Sequence, residues 1–306
     1  MKNFIYSFVL ISLIACEPSK SQDVPSEKPK DFNGYWYAGK AEITSYKLEQ
    51  ARYGEIHDGE AVLVFVTEPF SKGKQVKLDN WRDKSEDNVS VMKLNMTKKF
   101  LTGIYPYSMM MSTFTPVLAD KYPDPIKVTT SSQEWCGHTW MQLNLSDENY
   151  RLRGFSYFES EGDVDVSVPN VILEDELWTR IRLNPGSLPI GDVEIVPSTF
   201  YLRLRHQESG SKPATTKLIS LPSSEYADQA HKMYEIEYED RSLTIYFESA
   251  FPHIILGWDE TYLSGFGNPE QLTTKAKRIN TILSAYWGKN SNKDREIRKE
   301  LGLSFE

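Results

Sequence analysis

The chain has 306 residues, 43 acidic against 35 basic, for a formal charge of −8 at neutral pH. That balance excludes the basic stripe on which duplex nucleic-acid binding rests, so nucleic acid is not expected as a partner. Hydrophobic residues supply 40% of the chain and aromatics 12%, enough for a packed core that owes nothing to a disulfide framework.

The first predicted element is an export signal. Met1-Lys2-Asn3 carries one positive charge, and residues 4–14 are uncharged and mostly large and apolar. That run is shorter than the roughly 20 apolar residues a bilayer span needs, as expected of a signal-peptide core. It ends in Leu13-Ile14-Ala15-Cys16, which resembles the lipobox read by the lipoprotein signal peptidase. The resemblance implies that Cys16 is lipidated (palmitate among the acyl chains) and becomes the first residue of the mature protein. The membrane would then be a partner through that anchor. Loss of Lys2 with the leader makes the mature chain one unit more negative, and Cys136 becomes its only thiol, so no internal disulfide can form.

Residues 17–31 hold three prolines, seven charges and one aliphatic side chain, Val24. Such a segment cannot bury enough apolar surface to offset its ordering entropy, and it reads as a disordered tether with a reach of about 20 Å. The expected organisation is a signal peptide at 1–15, the lipidated cysteine and tether at 16–31, and a β-rich globular domain at 32–306. The expected location is the bacterial cell envelope: either membrane facing the periplasm, or the cell surface.

Period-two alternation dominates the domain. Residues 61–66 and 109–117 are apolar on both faces, as central strands are. Met92, Leu94 and Met96 alternate with Lys93, Asn95 and Thr97, and Met141, Leu143 and Leu145 follow the same rule. Leu173, Leu177, Trp178 and Ile181 fall on one helical face between Asn170 and Asn184. Glu174, Asp175 and Glu176 stand in its first turn and Arg180 and Arg182 in its last, as the helix dipole favours. Asn184-Pro185-Gly186 stops that helix, and 184–189 is the one candidate sub-boundary. Phe200, Leu202 and Leu204 alternate as a strand would. Tyr234, Ile236 and Tyr238 lead through Asp240-Arg241-Ser242 into Leu243, Ile245 and Phe247, a hairpin. Ile279, Thr281, Leu283, Ala285 and Trp287 share one face of a late strand. A second helix is expected from Ser291 to Leu301, capped by Gly302. The fold class is mainly β: a long, curved, half-barrel-like antiparallel sheet with one mid-chain and one C-terminal helix.

One heptapeptide suggests chemistry, Glu134-Trp135-Cys136-Gly137-His138-Thr139-Trp140. If the following strand extends back through it, Cys136, His138 and Glu134 share a face. Residues two apart on a strand are about 6.6 Å apart, so an imidazole could activate the thiol with Glu134 behind it. The competing reading is a small buried cysteine and a structural histidine. His57, His206, His231 and His253 show no metal-ligand spacing, and neither a metal nor a cofactor is expected. The acid pairs Asp163/Asp165 and Asp259/Glu260 are weak acid–base candidates. Tyr105, Tyr107, Met109, Met111, Trp135, Trp140 and Trp258 are candidate ligand-lining residues, because Met and aromatics make adaptable apolar walls. Trp258 lies in a stretch, 257–267, that reads as a Gly-rich loop bearing aromatics.

Four stretches carry a family resemblance: Trp36-Tyr37-Ala38-Gly39-Lys40-Ala41-Glu42-Ile43-Thr44-Ser45-Tyr46, Thr102-Gly103-Ile104-Tyr105-Pro106-Tyr107-Ser108, Gln133-Glu134-Trp135-Cys136-Gly137-His138 and Ser284-Ala285-Tyr286-Trp287. The chain resembles a family of bacterial envelope lipoproteins of unknown activity, some labelled "septum formation inhibitor Maf". The Ser-x-Ser-Pro-Arg-Arg motif of the Maf pyrophosphatases is absent, so the resemblance implies a location and no catalytic residue. The expected function is a non-enzymatic envelope module holding an apolar or amphipathic ligand, or an envelope protein partner. The alternatives are a Cys136/His138-dependent hydrolase or transferase, and a structural or surface scaffold.

Overall fold

The computed structural model describes residues 30–80, 82 and 85–304. The expected export signal, Cys16 and nearly all of the expected tether lie outside the described residues.

The described chain opens with a short helix α1 (Phe32–Trp36) and then lays down strands β1 (Ala41–Arg52), β2 (Glu55–Ser71), β3 (Val76–Lys77), β4 (Asn88–Thr102), β5 (Tyr105–Pro116), β6 (Lys127–Glu134), β7 (Gly137–Leu145), β8 (Asn149–Ser156) and β9 (Val164–Pro169). After β10 (Ile172–Leu173) comes the mid-chain helix α2 (Glu174–Leu183). Then follow β11 (Gly191–Val196), helix α3 (Thr199–Arg205), β12 (Lys212–Leu221), β13 (His231–Glu237), β14 (Arg241–Glu248), β15 (Ile255–Ser264), β16 (Glu270–Ser284) and helix α4 (Glu296–Glu300). All the strands join one curved sheet, in the order β10-β11-β12-β13-β14-β15-β16-β1-β2-β4-β5-β6-β7-β8-β9, with β3 on the side of β2. Pairing is antiparallel except between β10 and β11. The protein is thus a mainly β, open, barrel-like sheet with few helices.

Curvature decides burial. The concave face gathers Tyr46, Leu63, Phe65, Leu94, Met96, Ile236 and Phe247 around Leu177, Trp178 and Ile181 of α2. Trp178 meets Trp258 edge-on at 5.2 Å, and Trp258 meets Tyr46 at 5.0 Å. On the convex face, Leu301 and Leu303 beyond α4 cover Ala41, Ile43 and Val66. This explains why β1 and β2 are apolar on both faces.

Helix α2 is charged yet buried, and partners from the surrounding sheet and neighbouring elements answer its charges. Arg241 (β14) donates to both oxygens of Glu174 at 2.5 and 2.7 Å and to Glu260 (β15) at 2.8 Å, and Tyr238 donates to Glu174 at 2.6 Å. Lys98 stands 3.8 Å from Glu260, and burial lowers its pKa. Arg182 forms a two-pronged pair with Glu42, which also accepts from Tyr35 at 2.5 Å. Glu176 accepts from the Leu173 amide at 3.2 Å, reaching back over the helix start, and from Arg180 at 2.9 Å. Buried charges persist only when paired like this.

Four expectations need correction. Phe200, Leu202 and Leu204 belong to a helix, α3. Ser198 caps it by accepting from the Phe200 amide, and all its residues but Arg203 and Arg205 are buried. A short helix buried on most of its surface shows little amphipathic period, so its alternation was accidental. The late strand ends at Ser284, and Ile279 and Leu283 lie on a wet face, while Ile282 packs under the C-terminal helix. Residues 257–264 belong to β15, all but its first two residues, rather than to a loop. The expected C-terminal helix is split into a 3-10 turn at Asn292–Arg295 followed by α4, and Gly302 takes φ +65° beyond its end.

Candidate functional site

The antiparallel register sends the β1–β2, β4–β5, β6–β7, β8–β9, β13–β14 and β15–β16 turns to one end of the barrel, the rim end. Helix α1 sits at the other end, where Thr67 donates to the Trp36 carbonyl at 2.5 Å and Phe32 faces Phe251 at 6.1 Å. Helix α3 enters the barrel at the rim end. Asp175 of α2 holds it there, accepting from the Thr199 amide at 3.0 Å and the Thr199 hydroxyl at 2.6 Å.

Between α3 and the inner face of β7, β8 and β9 lies a cavity of about 410 Å³. Its wall carries Met141, Leu152, Val164 and Val166 from the sheet and Leu202 from α3. Leu152 pairs with Val166, and Gly154 with Val164. Gly154 matters here: a Cβ at that position would sit 2.9 Å from Val164 Cγ2, so glycine keeps the wall recessed. Val164 and Val166 belong to the edge strand β9, and both remain exposed. Burial is withheld at that place because nothing on the far side of the cavity reaches them.

The polar end is built from Glu161, Arg203 and His206. Arg203 donates to Glu161 Oε1 at 2.6 Å, the Ser156 hydroxyl donates to Oε2 at 2.6 Å, and His206 Nδ1 lies 2.5 Å from Oε1. Burial pushes the Glu161 carboxyl up, but Ser156, His206 and Arg203 outweigh it and leave the pKa below its ordinary value. Burial and the neighbouring Arg203 hold the His206 pKa below its ordinary value, despite its bond to Glu161. The triad is therefore a carboxylate, a guanidinium and an imidazole whose Nδ1 faces both Glu161 Oε1 and, at 3.2 Å, the Arg203 guanidinium. Phe158 braces it, with Arg203 4.6 Å from its ring and His206 5.0 Å away edge-on. His206 ends α3 at φ +53°, a left-handed conformation uncommon outside glycine. An apolar wall beside a compact polar end suits a ligand with one greasy and one polar part.

The structure scatters the residues singled out in the sequence. Trp140 is on the cavity lining and stacks on Phe155 at 5.9 Å. Met109, Met111 and Trp258 are packed in the core, at inward positions of β5 and β15. Tyr107 is buried as well. It stacks on Phe100 at 4.8 Å and shares a 2.7 Å hydroxyl contact with Tyr53. These four face the filled interior and cannot line the cavity. Tyr105 and Trp135 sit at the rim, 6.4 Å apart. Asp259 receives the Tyr226 and Tyr246 hydroxyls, Glu260 pairs with Arg241, and Asp165 pairs with Arg151. Those three candidate acids each have a structural partner, and the fourth, Asp163, is exposed just before β9.

Strand β7 starts at Gly137, so it does not extend back through Cys136 as the shared-face argument requires. Trp135 and Cys136 form the two-residue turn between Glu134 and Gly137. Both Cys136 and His138 are exposed. Glu134 accepts from the Cys136 amide at 2.6 Å, and its carboxylate raises the thiol pKa, the reverse of nucleophile activation. Among the described residues, no group of three or more His, Cys, Asp or Glu could hold a metal. No described helix is long and apolar enough to cross a membrane.

Sequence reasoning missed Glu161, Arg203 and His206. They are 45 residues apart at most and meet only because α3 folds back across the sheet, and no local spacing signals that.

No protein-family model matches the chain, and no curated protein matches it in sequence. Among solved structures, the chain is similar to a crystal structure titled a β-barrel-like protein of domain of unknown function DUF1849 from Brucella abortus, at 8% identity over 80% of this chain and 97% of that one, with a TM-score of 0.45.

Proposed function

We propose that the protein is a bacterial envelope lipoprotein whose cavity between β7–β9 and α3 binds an apolar or amphipathic ligand. The observation that carries this reading is the pairing of recessed valines and leucines with the Glu161–Arg203–His206 end in a space of about 410 Å³, a size at which specific small-molecule sites begin. The lipobox-like Leu13-Ile14-Ala15-Cys16 supports anchoring in the envelope through Cys16.

Two experiments test the two halves. Native mass spectrometry of the purified protein, followed by lipid extraction, is expected to find a co-purifying amphiphile. A Val166→Trp variant, which fills the cavity from an exposed edge position, is expected to fold and lose it. If wild type and variant carry the same ligand load, the cavity is not the site. Cells fed labelled palmitate are expected to label the wild type and not Cys16→Ser. Equal labelling would remove the anchor.

A further inference from the structure

The hairpin tips at the rim end are unusually apolar. Ile104 is 81% exposed, Phe266 79%, Trp135 68% and Tyr157 65%. They stand on four different turns, and other rings join them into one surface. Tyr53 meets Phe266 at 5.7 Å, and Tyr105 meets Trp135 at 6.4 Å. Tyr157 reaches under the β6–β7 turn, where a Cβ on Gly137 would lie 2.7 Å from its ring. A single exposed apolar residue needs no explanation, but a contiguous crown of them does. Next to it open Ser160 and Gly162 of the cavity.

The residue types fit the boundary of a bilayer, where Trp and Tyr place an apolar body and a polar tip, better than a dry protein interface. Charge selects among lipids. The exposed ionisable side chains beside these tips are Glu55, Glu159, Asp163 and Glu270, against Lys99. That excess of acid is repelled by anionic headgroups. The chain length permits contact with the anchoring membrane itself. The described fold begins at the opposite end of the barrel, about 40 Å from the rim along the 12 residues of β1. The residues from Cys16 to Phe32 span about 50 Å when extended.

We infer that this rim docks onto a zwitterionic phospholipid bilayer by inserting Ile104, Trp135, Tyr157 and Phe266. The docking stands on the tips alone. Its use for passing a ligand between bilayer and cavity rests on the function proposed above.

Cys136 lies in the same turn as Trp135 and is exposed, so it can carry a thiol-reactive, environment-sensitive fluorophore. The full-length protein purified from membranes is labelled there and reconstituted in phosphatidylcholine vesicles containing a headgroup-proximal nitroxide lipid. Quenching of at least about twofold is expected. The Ile104→Ser/Trp135→Ser/Phe266→Ser variant is expected to float with the vesicles yet remain unquenched, its fold checked by near-ultraviolet circular dichroism. A wild type that floats without quenching, or a variant quenched as strongly, overturns the inference. Replacing part of the lipid with phosphatidylserine is expected to lower the quenching, and an increase would refute the zwitterionic preference. Flotation of Cys16→Ser reads the anchor separately: its loss supports the tether, while quenching in excess vesicles still reports docking.

Discussion

Asp175 offers a direct test of how the barrel treats the charges of its central helix. The side chain is buried, and burial raises its pKa from 3.8 to about 6 even though the Thr199 bonds and the nearby Ser198 hydroxyl favour the carboxylate. Its Oδ2 accepts twice from Thr199, whereas its Oδ1 has no hydrogen-bond partner among the described residues. That orphaned oxygen is the natural seat of the proton. A folded pKa above the unfolded one means that the native state binds the proton more tightly. Stability from this group is therefore fully present below pH 4 and is lost as pH rises through 6. The shift of about two units corresponds to about 3 kcal/mol. Asp175→Asn keeps the shape and cannot titrate, at the expense of one buried amide donor worth about 1 kcal/mol. Urea unfolding of both proteins, followed by tryptophan fluorescence between pH 4 and 8, reads the group, because the titrations of groups not coupled to it cancel in the difference. Wild type is expected to be the more stable at pH 4, to lose about 3 kcal/mol relative to the variant by pH 8, and to show most of the change between pH 4 and 6. A difference that stays flat within about 1 kcal/mol would refute the reasoning.

Other expectations follow from the same packing. Glu42→Gln leaves Arg182 charged and unmatched inside the barrel and should cost about 3–5 kcal/mol in chemical denaturation, while Glu42→Leu with Arg182→Met should recover much of it. Leu177→Ala opens a cavity at the contact between α2 and the sheet and should cost about 2–5 kcal/mol by the same measurement. Gly257→Ala would bring a Cβ to 2.2 Å from the Ala276 carbonyl and 2.4 Å from Tyr226, so a large fall in thermal midpoint is expected. Glu134→Gln removes the carboxylate that raises the Cys136 pKa, so the thiol should react faster with iodoacetamide near neutral pH. An unchanged rate would show that Glu134 does not control the thiol.

The alternation of residues 92–96 and 234–247, the helix at 174–183 with its terminal charges, and the capping Gly302 were all written locally. A strand's period and a helix's ends depend on neighbours a few residues away. The class of fold could be read from them, as could the terminal motif that suggests export. Three features depended on distant partners. α3 looked like a strand because its environment, and not its own pattern, buries it. Met109, Met111 and Trp258 looked like ligand walls, but the concave side of the curved sheet is filled by α2, which turns adaptable side chains into core. The cavity exists because β9 is an edge and α3 stops short of it, and the Glu161–Arg203–His206 cluster exists because the chain returns to that edge 42 to 45 residues after Glu161. Composition along a strand says which face is dry. Only the curvature of the whole sheet says what stands opposite that face, and there the difference between core, cavity and rim is decided.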